Sequence, residues 1–269
     1  MRVRHHRTGR GPDGAADPDI LGGTGTEPAE RVLRMLSVIF DLDGTLVDSE
    51  PNYYESGCRT LARHGVPDFT WEQHAAFIGV GTRETLAVLR ERYGIEAPVA
   101  TLLDEQNAAY LELAGRSTEV YAEMRGLVER LHADGVPMAV ASGSSREAID
   151  AVLAGTGLAR LLPVTVSAEE VPHGKPAPDV FLEAARRLGA TAADCVVVED
   201  SAPGVRAAHA AGMACLAVPY GAAADPAFAA ADLLFAGGQA SFDAEAAHAW
   251  LRARAAPAAD RHRGPTARP

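Results

Sequence analysis

Lysine is nearly missing from this 269-residue chain. Of its 25 basic residues, 24 are arginine and one, Lys175, is lysine. Cysteine is scarce as well. Cys58, Cys195 and Cys215 are too few and too scattered for a disulfide framework or a zinc site. That usage suits a reducing, cytoplasmic setting, and nothing assigns the three thiols a redox role. No apolar run approaches the roughly 18 residues that a membrane-spanning helix needs, so no membrane partner is expected. The first ten residues are basic but lead into no apolar stretch, so no secretory signal is expected.

A basic middle is also lacking. Residues 1–34 carry six arginines against five acids, and residues 252–269 carry five against one, which leaves −16 on the 217 residues between. Such an acidic centre excludes nucleic acid as a natural partner, because phosphate backbones demand clustered Lys and Arg. Solubility is the simplest use of the acidity.

Residues 1–34 are rich in glycine and have almost no apolar residues before Val32, so a disordered tail is expected there. The glycines at 22–26 follow no strand and lack the third glycine of a dinucleotide loop. A second tail is expected over residues 252–269, rich in Ala, Arg and Pro.

Between the tails, strand and helix alternate. SVIFD (37–41), PMAVAS (137–142), CVVVED (195–200) and CLAVP (215–219) are short continuous apolar runs that end in polar loops. Strands buried on both faces read this way. LLPVTVS (161–167) and DLLFA (232–236) are weaker strands of the same kind. Met124, Leu127, Val128 and Leu131 recur at helical spacing, as do Val180, Phe181, Ala184 and Leu188. The alternation predicts an α/β fold, a Rossmann-like parallel sheet with helices on both faces. Residues 50–120 break it: they hold no convincing strand and read as helices near 51–64, 70–78, 82–93 and 98–115. The expected organisation is therefore a core of residues 35–49 and 121–251, with a small all-helical cap inserted over 50–120.

Polar groups follow three of the strong strands. They are Asp41 and Asp43 with Gly44 and Thr45, then Ser142, Gly143 and Ser144, then Glu199, Asp200 and Ser201. In a parallel sheet these ends meet at one edge, where ligands bind. Four converging carboxylates repel one another unless a cation intervenes, and an all-oxygen set favours Mg²⁺. Lys175 stands in HGKPAPD, just before the helix that carries Val180, and is read as sitting at that helix's N-terminus, where anions are favoured. The lone lysine of an arginine-rich chain is expected to bind phosphate, since Arg does not replace a compact point charge. The segment is not a P-loop: Pro176 stands where that motif has Ser or Thr.

VIFDLDGTLVDS (38–49) resembles the first motif of the haloacid dehalogenase superfamily of phosphatases and phosphomutases. VASGS (140–144) resembles its second motif, Lys175 with PAPD its third, and VEDS (198–201) followed by Gly204 its fourth. The helical insert resembles the cap of the subfamily containing phosphoglycolate phosphatase, β-phosphoglucomutase and 2-deoxyglucose-6-phosphate phosphatase.

The resemblance implies a Mg²⁺-dependent hydrolase of a small phosphorylated metabolite, a sugar phosphate or a phosphoglycolate-like compound. It makes Asp41 the nucleophile, giving an aspartyl-phosphate. Asp43 becomes the acid that protonates the leaving alcohol and then the base that activates water. Mg²⁺ would be held by Asp41, Asp43 through its carbonyl, and Asp200, with Glu199 assisting. Ser142, Gly143 and Lys175 would hold the phosphoryl oxygens, and Arg83 would reach the substrate from the cap. Tyr53 stands where the mutase pattern has an acid–base His, which disfavours isomerisation. A mutase, or a non-catalytic regulatory relative, is the alternative; Asp43 disfavours a dehalogenase. A monomer or weak homo-oligomer is expected. His64, His74 and His132 show no metal-ligand spacing.

Overall fold

A computed structural model describes residues 36–78, 80–221, 223 and 225–255 of the chain. Its centre is a six-stranded, all-parallel sheet in the order β5-β4-β1-β6-β7-β8. The strands are β1 (Ser37–Phe40), β4 (Met138–Ser142), β5 (Val164–Ser167), β6 (Cys195–Glu199), β7 (Ala214–Ala217) and β8 (Leu233–Leu234). All six expected strands form within the runs that signalled them, except that β7 begins one residue earlier, at Ala214.

Alternate side chains of these strands enter different cores. Val38, Phe40, Met138, Val140, Val196 and Val198 belong to one buried cluster, and Ile39, Ala139, Ala141, Cys195 and Val197 to another. The first cluster is closed by α5 (Ala122–Ala133), α6 (Arg146–Thr156) and α9 (Ala244–Ala255), the second by α7 (Asp179–Leu188) and α8 (Ala202–Ala210). Both sheet faces are therefore dry, which is why these strands read as unbroken apolar runs. Met124, Leu127, Val128 and Leu131 are the buried residues of α5, as their spacing predicts.

The chain runs outward from β1 through β4 to β5, then returns to the other side of β1 through β6, β7 and β8. The order reverses beside β1, so a crevice opens at the carboxyl ends of β1, β4 and β6.

The insert contains α1 (Glu50–Arg63), α2 (Trp71–Ala75), α3 (Thr82–Tyr93) and α4 (Val99–Ser117). Leu61, Phe69, Leu86, Leu89, Ile95 and Leu102 form a third buried cluster wholly inside it. Its two connections to the sheet run side by side as an antiparallel ribbon, β2 (Val47–Asp48) with β3 (Glu119–Val120). Strand β3 falls in the block where no strand was expected; two residues are too short a run to show periodicity. Buried Asn52 ties the connections further, donating to Thr118 Oγ1 at 2.8 Å and accepting from Ser117 Oγ at 2.9 Å.

Helix α9 extends to Ala255, so residues 252–255 of the expected C-terminal tail are helical. Leu251 is fully buried on that helix and carries it past the apolar run. Residues 1–34 and 256–269 lie outside the described residues.

Candidate active site

Strand β1 delivers Asp41 to the crevice. The Asp41 amide continues the ladder, donating to Val198 O at 2.9 Å, so the carboxyl leaves the sheet beside β6. Lys175 meets it there. Its Nζ donates to Asp41 Oδ1 at 2.5 Å and to Glu199 Oε1 at 2.7 Å, with the lysine side chain 11% exposed. The ammonium also lies 4.8 Å from the centre of the Phe181 ring.

Glu199 is fully buried, and its other oxygen accepts from Ser201 N at 2.7 Å and Ser201 Oγ at 2.9 Å. Ser201 caps α8 by accepting from Gly204 N. A Cβ on Gly204 would stand 1.8 Å from Glu199 Oε1, so only glycine lets the helix start this close to the carboxylate. Gly44 answers two demands: its φ is +80°, and a Cβ there would stand 2.3 Å from Asp200 Oδ2. Asp200 also accepts from Thr45 Oγ1 at 3.3 Å.

Asp41, Glu199 and Asp200 offer oxygen atoms that all lie within 4.8 Å of one another. Three carboxylates this close, with one lysine between two of them, are under-neutralised. Burial pushes the Asp41 carboxyl up to about 7; Lys175 opposes the shift, and Glu199 and Asp43 add to it. Burial, then Glu199 and Asp41, likewise hold Asp200 well above the usual carboxylate range. Burial works against the Lys175 charge, but Asp41 and Glu199 outweigh it and hold the ammonium above the ordinary lysine value. A hard divalent cation fits this set: the donors are all carboxylate oxygens, and one further positive charge relieves the conflict.

Asp43 sits apart from that cluster in a cradle of hydroxyls. Ser144 Oγ donates to its Oδ2 at 2.6 Å and Ser142 Oγ at 3.3 Å, while Tyr110 Oη donates to Oδ1 at 3.3 Å. Tyr53 Oη lies 3.3 Å from Ser144 Oγ, and its ring stacks on Tyr110 at 4.3 Å. Burial and the Asp43 charge push both phenols above their ordinary value, which keeps their O–H groups as donors. A buried carboxyl beside a lysine, a second carboxyl two residues on and an acidic cluster can together support covalent transfer to oxygen with proton exchange.

A family model described as haloacid dehalogenase-like hydrolase matches residues 38–218. The chain belongs to that family. It is 35% identical over 186 residues to the bifunctional riboflavin kinase/FMN phosphatase of Arabidopsis thaliana, covering 68% of this chain and 48% of that protein. The chain thus spans about half the length of that relative. It is 33% identical over 180 residues to fructose-1-phosphate phosphatase YqaB of Escherichia coli (strain K12), covering 67% of this chain and 94% of that one. Among solved structures, CbbY from Rhodobacter sphaeroides in complex with phosphate superposes with a TM-score of 0.65 at 25% identity, covering 77% of this chain and 98% of that chain.

Asp41, Lys175, Glu199 and Asp200 meet at one point, and Asp43 with Ser142 at a neighbouring one. Gly143 is exposed, and nothing lies within 4 Å of where its Cβ would be. Lys175 does not sit at the helix N-terminus: α7 begins at Asp179 with Pro178 as its cap, and the lysine reaches the carboxylates from the loop before it. Arg83 is exposed in the first turn of α3 and has no hydrogen bond or ion pair among the described residues. Sequence reasoning gave no role to Tyr110 or Ser144. Ser144 lies in the second motif and could have been suspected, whereas Tyr110 is one aromatic in a long helix with no local signal. No helix among the described residues is long and apolar enough to cross a membrane.

Proposed function

We infer that this protein hydrolyses a small phosphomonoester, a sugar phosphate or phosphoglycolate-like metabolite, through an aspartyl-phosphate on Asp41. The observation that carries this is the Asp41 carboxylate, buried on the only lysine and crowded by Glu199 and Asp200, with Asp43 cradled separately two residues away. Family membership and the phosphatase names of matched relatives support it.

Asp41 Oδ attacks phosphorus and the bond from phosphorus to the alcohol oxygen breaks. Asp43 hands its proton to that oxygen, so the alcohol leaves neutral. Asp43, now ionised, takes a proton from the water that attacks the phosphoenzyme, which frees inorganic phosphate and restores Asp41. Lys175, Ser142 and the Gly143 amide bind the phosphoryl oxygens as charge shifts onto them. Asp41, Asp200 and the Asp43 carbonyl, supported by Glu199, would hold Mg²⁺. When bound it supplies positive charge that lowers the repulsion between the nucleophile and the phosphate. Residues 50–120 act as the cap that closes over the crevice and excludes water between steps, with Arg83 as its contact to the rest of the substrate.

Burial keeps Tyr53 protonated, so it cannot replace an imidazole in proton transfer, and hydrolysis is favoured over isomerisation. Phosphate release from a panel of small phosphomonoesters, with and without Mg²⁺ and beside Asp41→Asn, tests the reading. Mg²⁺-dependent release that Asp41→Asn abolishes is expected. No release from any compound by the folded protein overturns it, and isomer interconversion without phosphate loss turns it into a mutase.

A further inference from the structure

The Asp43 carboxylate is the point where hydroxyls of the core and of the inserted helices converge. Ser142 and Ser144 come from the end of β4, and Tyr110 comes from α4, 67 residues after Asp43. With Asp43 ionised, as it is before it takes up the proton that it later gives to the alcohol, proton counting fixes the direction of every bond. A carboxylate only accepts, so Ser144 spends its single hydroxyl proton on Asp43 Oδ2. The Tyr53 hydroxyl must then donate to Ser144 Oγ. Each carboxylate oxygen is thus governed by a different phenol: Oδ1 directly by Tyr110, and Oδ2 through Ser144 by Tyr53. The two rings stack with 25° between their planes, and Tyr110 is only 4% exposed, so neither phenol swings independently of the other.

An Asp side chain has two free torsions, and anchoring one oxygen leaves the carboxyl plane free to turn. Anchoring both fixes it. Tyr110 is the sole hydroxyl on Oδ1 among the described residues. At 3.3 Å its bond is long, with room to shorten. We propose that Tyr110 and Tyr53 are positioning residues, a stacked phenol pair that sets the plane of the Asp43 carboxyl and ties it to the placement of α1 and α4. This rests on the reading of Asp43 as the acid that protonates the leaving alcohol. An acid aimed wrongly fails where its proton is needed and matters little where it is not.

The test compares kcat/KM for two substrates in the presence of Mg²⁺. One is the best sugar phosphate of the panel, whose alkoxide needs a proton. The other is p-nitrophenyl phosphate, whose phenolate leaves without one. Because kcat/KM covers only the steps up to departure of the alcohol, later use of Asp43 as a base does not enter. Tyr110→Phe keeps the ring and its stack and is expected to lower the ratio of sugar phosphate to aryl phosphate by about tenfold, part of the roughly 10²–10⁴ that acid–base catalysis contributes. Tyr53→Phe, one hydroxyl further away, should lower it less, and Asp43→Asn should lower it most. A ratio within twofold of the unsubstituted protein in both Phe variants overturns the proposal. So does an equal loss on both substrates, the mark of a merely structural role. If the unsubstituted protein turns over neither substrate, the phosphatase reading itself fails; turnover with an unmoved ratio removes only the phenol pair.

Discussion

Replacing Lys175 with Met isolates what the lone lysine does for the fold. The substitution keeps an unbranched side chain of similar length and removes the charge that Asp41 and Glu199 share at 2.5 and 2.7 Å. Asp41, Glu199 and Asp200 then face one another within 4.8 Å without a cation. At an effective dielectric constant of about 20, each like-charge pair at that spacing costs roughly 3 kcal/mol. Breaking a buried ion pair by removing one partner costs about 3–5 kcal/mol, which agrees in size. A proton offers relief. Asp41 already has its pKa pushed up to about 7, so at pH 8 it is protonated for about 1.4 kcal/mol, and at pH 6 for nothing. Losing the lysine raises the folded-state pKa values further. Carboxyls raised above their unfolded value destabilise increasingly as pH rises. Urea unfolding in EDTA should therefore show Lys175→Met less stable by about 3–5 kcal/mol at pH 8, with the loss shrinking by roughly 1.4 kcal/mol between pH 8 and 7 and levelling off below, where Asp41 is protonated in both proteins. Millimolar Mg²⁺ should restore much of the difference, because a cation that binds only the folded state stabilises it by mass action. A loss below about 1 kcal/mol at pH 8, or one that does not shrink on acidification, would refute the charge-compensation argument.

Three further outcomes follow from the same geometry. Without Mg²⁺, the unfolding midpoint should fall as pH rises from about 4 through 7, since Asp41 is protonated in the fold at a pH where the unfolded chain has lost that proton; Asp41→Asn should flatten this part of a midpoint-against-pH curve. Gly204→Ala places a methyl 1.8 Å from Glu199 Oε1 and should cost more than about 2 kcal/mol in urea unfolding, with Mg²⁺ half-saturation raised because Glu199 and its neighbour Asp200 shift. Asn52→Ala removes two hydrogen bonds between the cap connections and should cost about 1–3 kcal/mol, read from a denaturant midpoint at unchanged slope.

What the sequence made legible follows from how locally each feature is encoded. A strand of a parallel sheet buried on both faces must be apolar throughout, so SVIF, MAVAS and CVVVE announce themselves without reference to any partner. The residue after such a strand stands at the carboxyl edge, so Asp41 was placed as soon as β1 was. Lys175 was visible for a different reason: no other lysine exists to compete for the reading. Its placement was less legible. The prolines after it suggested a helix start, but the helix begins at Asp179, and only the folded loop shows the ammonium reaching back to β1 and β6.

The inserted helices mark where local encoding ends. Their spans were readable from Gly and Pro breaks, yet the residue that touches Asp43 from them was not. Tyr110 follows Asp43 by 67 positions and sits in a helix whose other buried residues only pack. Nothing in helical periodicity separates an aromatic that fills space from one whose hydroxyl meets a carboxylate; that depends on how the two connections at 47–48 and 119–120 set the helices on the sheet. The same argument explains why the core names the reaction and leaves the substrate open. Asp41, Asp43, Ser142 and Lys175 are placed by strand ends and adjoining loops, which the sheet fixes. Arg83 projects from an exposed first turn whose relation to the crevice depends on the cap's own placement. The proposed chemistry lies where the sheet ends, and the proposed selectivity lies in helices that the sheet does not position by itself.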